Sequence, residues 1–173
     1  MRRAWVVAAF LVLGACSGGT RDEPGPTAGT SAPTALEANA SVVRVVDGDT
    51  IVADFDGRRE TVRLIGIDTP ETVKPDSPVE CFGPEASAFT KGLLPDATPI
   101  HVERDVEARD DYGRLLGYVY LARDGMFINL EIVRQGYATL LTFPPNVTHV
   151  DDFVAAAESA ERQNLGLWGG CSG

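Results

Sequence analysis

Two short stretches carry residues whose types and spacing suit phosphate and cation chemistry: TVRLIGIDTPE, Thr61 to Glu71, and VVDGDT, which holds Asp47 and Asp49. In the first, two carboxylates, Asp68 and Glu71, surround the turn that ends an apolar run. A turn alone accounts for Pro70, which fixes a bend, and for Asp68, which accepts a backbone hydrogen bond. It does not require Glu71. In the second, Asp47 and Gly48 supply hairpin dihedrals and need no further role. Asp49 falls past that turn, where a strand should begin and Asp is disfavoured. Asp49, Asp68 and Glu71 form a carboxylate cluster if the ends of the first and third strands meet. Carboxylates that close repel one another, and a hard cation with oxygen ligands is the usual remedy. His101 and His149 stand isolated, so the sequence offers no zinc-type cluster.

Arg63 lies in the middle of the same apolar run, on one strand face with Ile65 and Ile67 if the strand is unbroken. A buried guanidinium needs an anion. Two partners are open: a structural carboxylate, or a phosphate held by the guanidinium fork. Five residues of straight strand span about 16 Å, so Arg63 and Asp68 serve one phosphate only if the strand curves strongly. RDDYGRLLGYVYL adds Tyr112 and Arg114 on either side of Gly113. An Arg after a tight turn is ordinarily just solvated. Paired with Arg63 it forms a two-arginine clamp on a pentavalent phosphorane, with Tyr112 as hydrogen-bond donor or base-stacking surface.

The elements that must position these groups are short. SVVRVV and TIVADF are β-branched runs joined by DGD, a hairpin signal, and RETVRLIGI follows after DFDG as a third strand. GPEASAFTKGLL has Pro84 and Glu85 in a first helical turn, Ala86, Phe89, Thr90 and Leu93 on one face, and Pro95 beyond its end. PIHVERD and LLGYVYLA supply two more strands, and INLEIVRQG a second helix ended by Gly136. From Thr148 a capping-box pattern with Asp151 opens a third helix, with Val150, Phe153, Val154, Ala157 and Ala160 as its apolar stripe. Five strands and three helices make an α+β fold. The pattern suits a small closed barrel of the OB type, and does not by itself separate that from an open sheet.

The 173 residues are 44% hydrophobic, enough for one domain with a real core. The formal charge of -10 predicts repulsion from phosphate backbones and acidic lipid, an objection any nucleic-acid function must answer. Arg2 and Arg3 precede AWVVAAFLVLGA, too short a run for a membrane span but suited to a signal-peptide core, so export is expected. The run ends LGAC, which resembles a bacterial lipobox and implies cleavage before a lipidated Cys16; an ordinary secretory peptide is the alternative. Residues 1–15 thus read as signal peptide, 16–38 as lipidated Cys and flexible linker rich in Gly, Pro, Ser and Thr, and 39–173 as the folded domain. With Cys16 lipidated, Cys81 and Cys171 remain as an even pair, which oxidises outside the cytoplasm or stays as two free thiols. A bridge between them would stabilise the fold by roughly 4 kcal/mol in the chain-entropy model. No internal repeat is visible, and a monomer is the default.

In order and spacing, VVDGDTIVADFDGRRETVRLIGIDTPE, VECFGPEASAFTK, DDYGRLLGYVY, NLEIVRQGYA and PPNVTH resemble the staphylococcal nuclease, or thermonuclease, family over about Val42 to Trp168. The resemblance implies an OB-fold barrel carrying a Ca²⁺-dependent phosphodiesterase that cuts single-stranded or locally unpaired DNA and RNA at the P–O5′ bond, leaving 3′-phosphate ends. It implies that Asp49 and Asp68 bind Ca²⁺ through carboxylates and Thr69 through its carbonyl. Glu71 would orient or deprotonate the attacking water, and Arg63 and Arg114 would stabilise charge on the phosphoryl oxygens. Tyr112 and Leu141 fall at substrate-binding positions. The chain departs from the family in placing Asp76 and Asp111 near the cleft where lysines are usual, and Leu140, Leu141 and Phe143 where a tyrosine pair is usual. Weak affinity for long polynucleotides follows from the first difference. Two other readings are a non-catalytic OB-type binding module and an envelope lipoprotein whose carboxylates hold Ca²⁺ for stability.

Overall fold

The computed structural model describes residues 34–72 and 78–171. The expected leader, the expected lipidation site Cys16, most of the linker and Asp76 lie outside the described residues. From Leu36 the chain already runs along the domain, its N–H donating to the Ala122 carbonyl at 2.8 Å.

Strands β1 (Ala40–Asp47), β2 (Thr50–Phe55) and β3 (Arg58–Leu64) form an antiparallel meander. β5 (Pro99–Glu103) and β6 (Leu115–Leu121) pair with each other, β6 runs parallel to β3, and β5 returns to β1. The order β1-β2-β3-β6-β5 therefore closes into a barrel, the arrangement expected of the OB type. Its interior is filled by fully buried Ile51, Val62, Leu64, Ile100 and Val119. Helices α1 (Gly83–Leu93), α2 (Ile128–Arg134) and α3 (Val150–Arg162) cover it, with a four-residue helix α4 (Leu167–Gly170) at the end.

The third strand is not continuous. It breaks at Ile65, and a short strand β4 (Gly66–Asp68) turns away to pair with β7 (Thr139–Leu141), a strand the sequence did not suggest. Gly66 has φ +85°, in the left-handed region that side chains disfavour, and a Cβ there would sit 2.3 Å from the Phe153 ring. Asn129, wholly buried on α2, holds the break from inside. Its Oδ1 accepts the Val119 N–H at 2.9 Å, and its Nδ2 donates to the carbonyls of Ile65 at 2.9 Å and Gly117 at 3.2 Å. We expect Gly66→Ala to destabilise the protein by about 3 kcal/mol, the sum of a backbone penalty and overpacking of Phe153. Thermal unfolding tests this, and a variant as stable as the parent would show the kink to be unconstrained.

Two local expectations change. Thr148 does not cap α3, whose N-cap is His149 with no side-chain cap bond. Instead the Thr148 N–H and hydroxyl both donate to Asp105, at 3.0 Å each, and the Tyr118 hydroxyl joins them at 2.9 Å. Desolvation pushes the Asp105 carboxyl up, and these donors outweigh it, so its pKa lies below the ordinary Asp range. On α3 the buried stripe includes Ala156, while Val154 faces outward, 39% exposed. On α1 Ala86, Ser87 and Thr90 are buried, with Phe89 and Leu93 partly so.

Candidate active site

All eight residues expected to act on substrate or cation line one cavity of about 650 Å³: Asp49, Arg63, Asp68, Thr69, Glu71, Tyr112, Arg114 and Leu141. The barrel topology explains the convergence. Asp49 lies in the β1–β2 turn, Arg63 on β3, Asp68 at the end of β4, and Arg114 at the entry to β6, which pairs with β3. Asp49 is not the first residue of a strand, as the sequence suggested. Asp47 pairs with Thr50, so Gly48 and Asp49 are the two loop residues. A buried carboxylate in a turn needs donors, and Asp49 has them. Its Oδ2 accepts the Thr69 N–H and hydroxyl at 3.0 Å each, and its Oδ1 accepts the Thr50 hydroxyl at 3.0 Å.

Arg63 has its side chain only 12% exposed, and of the two open partners the structure shows the carboxylates. Nη1 donates to the carbonyls of Leu64 at 2.7 Å and Ile67 at 3.0 Å, across the strand break. Nη2 bridges Asp68 Oδ1 at 2.9 Å and Asp49 Oδ2 at 3.2 Å. The strong curvature that Arg63 and Asp68 require is the β3–β4 kink. Beyond the ion pair, the guanidinium supports the backbone that shapes the site.

Arg114 is held by Asp110, which accepts its Nε–H at 2.6 Å and its backbone N–H at 2.8 Å. Its guanidinium lies 5.5 Å from the centre of the Tyr112 ring, and that ring is 85% exposed. Glu71 Oε1 accepts the Thr72 N–H at 2.9 Å. The turn reading of Asp47 is incomplete. Its Oδ1 accepts the Gly48 N–H at 2.9 Å and the Thr72 hydroxyl at 2.6 Å, and its Oδ2 accepts the Thr72 N–H at 3.2 Å. Asp47 therefore anchors the residue that follows Glu71. Asp110 and Glu80 also escaped the sequence reading. The Asp110–Arg114 pair has an i,i+4 spacing that could have suggested it, whereas nothing local points to Glu80.

Asp47, Asp49, Asp68, Glu71 and Glu80 face the cavity against two guanidinium groups, Arg63 and Arg114. The imbalance shows at Asp68. Burial raises its pKa above the ordinary value, and the Asp49, Glu80 and Glu71 carboxylates add to this against the pull of Arg63. Such a field favours a small cation, and the donors are all oxygens, as a hard divalent ion prefers. Among the described residues no three His, Cys, Asp or Glu side chains converge closely enough to hold an ion unaided. An ion in this field would therefore need further oxygen ligands from backbone or solvent.

A second cavity of about 390 Å³ adjoins the first, sharing Arg63, Tyr112, Arg114 and Leu141. Phe143, 69% exposed, and Asp111 line it, whereas Leu140 packs partly buried on the core. Cys81 and Cys171 form a disulfide with a Cα–Cα distance of 6.0 Å.

Residues 61–170 match the profile of a family described as Staphylococcal nuclease homologue. The chain is 39% identical over 163 residues to the thermonuclease of Staphylococcus hyicus, covering 94% of this chain and 93% of that one. It is 46% identical over 127 residues to the thermonuclease of Staphylococcus intermedius, covering 73% and 74%. Endonuclease YncB of Bacillus subtilis is 36% identical over 132 residues, covering 75% and 61%. With the closed barrel and the cleft that gathers the expected residues, these matches place the chain in the staphylococcal nuclease family.

Proposed function

We propose that this protein is a nuclease that hydrolyses DNA and RNA with Ca²⁺ as cofactor, leaving 3′-phosphate ends. The observation that carries the reading is the convergence of Arg63, Arg114, Glu71, Asp49, Asp68 and Thr69 on one cleft. Asp49 and Asp68, with the Thr69 carbonyl, would hold the ion. Bound there, Ca²⁺ supplies positive charge against the negative charge that builds on the phosphoryl oxygens. The residues of the chain do the rest. Glu71 takes a proton from water as the water oxygen bonds to phosphorus, the P–O5′ bond breaks, and the leaving 5′ oxygen takes up a proton from solvent. Arg63 and Arg114 donate to the phosphoryl oxygens, a contribution each worth about 10²–10³ in rate when fixed in advance. Tyr112 and Leu141 offer apolar surface to the adjoining nucleotide.

Asp110 weakens Arg114 as an anchor for ground-state phosphate and fixes its direction. With Asp111 beside it, the cleft has little positive charge to spend on a polynucleotide backbone. We expect the purified protein to cleave single-stranded DNA with Ca²⁺ and to stop when chelator is added in excess, with 3′-phosphate ends on the products. Thermal stabilisation by Ca²⁺ without cleavage would instead favour the structural reading, and nucleic-acid binding without cleavage the binding module.

A further inference from the structure

We propose that Glu80, fixed by the Cys81–Cys171 disulfide, is a positioning residue that sets the carboxylate of Glu71. The inference rests on the nuclease reading above. Glu71 and Glu80 are nine positions apart and meet through two hydrogen bonds. The Glu80 N–H donates to the Glu71 carbonyl at 3.0 Å, and Glu80 Oε2 accepts the Glu71 N–H at 3.1 Å. The peptide units on both sides of the Glu71 Cα are thereby tied, since Asp47 grips Thr72 from the opposite wall. A side chain that must meet a water in line with a phosphorus depends on that kind of control, because small misplacements cost large factors in rate.

Glu80 is exposed, and a pair of exposed hydrogen bonds is worth little unless the partner is itself held. The next residue supplies the hold. Cys81 is bonded to Cys171, which closes α4, and Cys171 N–H donates to Leu167 O at 3.0 Å. Leu167 N–H in turn donates to the carbonyl of Gly136 at 2.9 Å, just past α2. α2 buries Ile128, Ile132 and Val133 completely in the core. The link therefore runs by hydrogen bonds from the end of α2 to Cys171, and by the disulfide from Cys171 to the residue beside Glu80. Removing it leaves Glu80 held by the chain on either side, by its two bonds to Glu71 and by the Gly83 N–H that donates to its carbonyl at 3.0 Å.

The positioning role asks of residue 80 an acceptor, not a charge. Glu80→Gln keeps a carbonyl oxygen for the Glu71 N–H, and Glu80→Ala has none. In the full chain, at saturating Ca²⁺, we expect Glu80→Ala to lower kcat about tenfold with KM within twofold of the parent, and Glu80→Gln to recover most of the loss. The Cys81→Ser/Cys171→Ser double variant should lower kcat in the same direction. Hydrogen exchange gives a readout independent of turnover. The Glu71 amide should lose protection severalfold in Glu80→Ala and in the double-serine variant, while the Ile51 and Val62 amides of the barrel stay protected. An unchanged kcat in Glu80→Ala, equal losses in the Ala and Gln variants, or an unaltered Glu71 amide would each overturn the inference while leaving an active parent as a nuclease. A parent that cleaves nothing would remove the reading beneath it.

Discussion

Glu71→Gln is expected to fold at least as stably as the parent and to turn over nucleic acid about 10²–10⁴-fold more slowly, the range a positioned general base contributes. The stability half follows from charge. Burial is the main reason the Asp68 pKa lies above its ordinary value, and repulsion from the Glu71 carboxylate adds to it after that of Asp49 and Glu80. A neutral amide removes one source of that repulsion. It also keeps an oxygen at the position that accepts the Thr72 N–H, so the local backbone loses no partner. A raised folded-state carboxyl pKa means the folded protein binds the proton more tightly than the unfolded chain, so this group costs stability above the ordinary Asp range and the cost falls as pH drops. Relieving it by Glu71→Gln should therefore show most clearly near neutral pH. Steady-state kinetics beside thermal melts would test both halves. A variant keeping more than about a tenth of the parent kcat would sink the assignment of Glu71 as base.

Much of this site was legible because its chemistry needs residue types that turns and strands do not. Glu71 was not required by its turn, and Arg63 was out of place in an apolar run, so both stood out from spacing alone. The eight expected residues do share one cleft. What stayed hidden is of another kind. Asp47 looked fully explained by an Asp-Gly turn, and only the fold shows Thr72 arriving against it from 25 positions away. Glu80 and Asn129 act through partners that sequence proximity does not reveal, a backbone amide of the cleft and the carbonyls at a strand break. The break itself was missed because RETVRLIGI reads as one β-branched run, and local propensity yields to the tertiary demand for curvature. β7 went unseen for a related reason, since three residues carry almost no periodicity and are defined by the partner β4 that the break creates. The acidic composition, which counted against a nucleic-acid substrate, gains a local meaning. Five carboxylates face the same cavity as the two arginines, a charge distribution that would suit a bound cation.

Arg63 carries the second large effect, and its variants separate two jobs that one side chain performs. Arg63→Ala strips donors from the Leu64 and Ile67 carbonyls and leaves Asp49 and Asp68 without the guanidinium between them. Asp49 is buried and Asp68 half exposed, so the loss is one well-shielded pair and one partly screened one; together with the lost carbonyl bonds it should cost about 3 kcal/mol. Arg63→Lys keeps a positive charge and three donors but loses the planar fork, and we expect it to recover most of the stability. It should not recover turnover, which we expect to remain at least about 10²-fold below the parent, because two donors aimed together at the phosphoryl oxygens are what the transition state uses. Calcium adds a further distinction. An ion held by Asp49 and Asp68 offsets the charge that Arg63→Ala exposes, so added Ca²⁺ should raise the melting temperature of that variant more than that of the parent while its kcat stays low. Arg63→Lys turning over within tenfold of the parent would mean that Arg63 matters for the kink and the carboxylates alone, and that Arg114 by itself meets the phosphate.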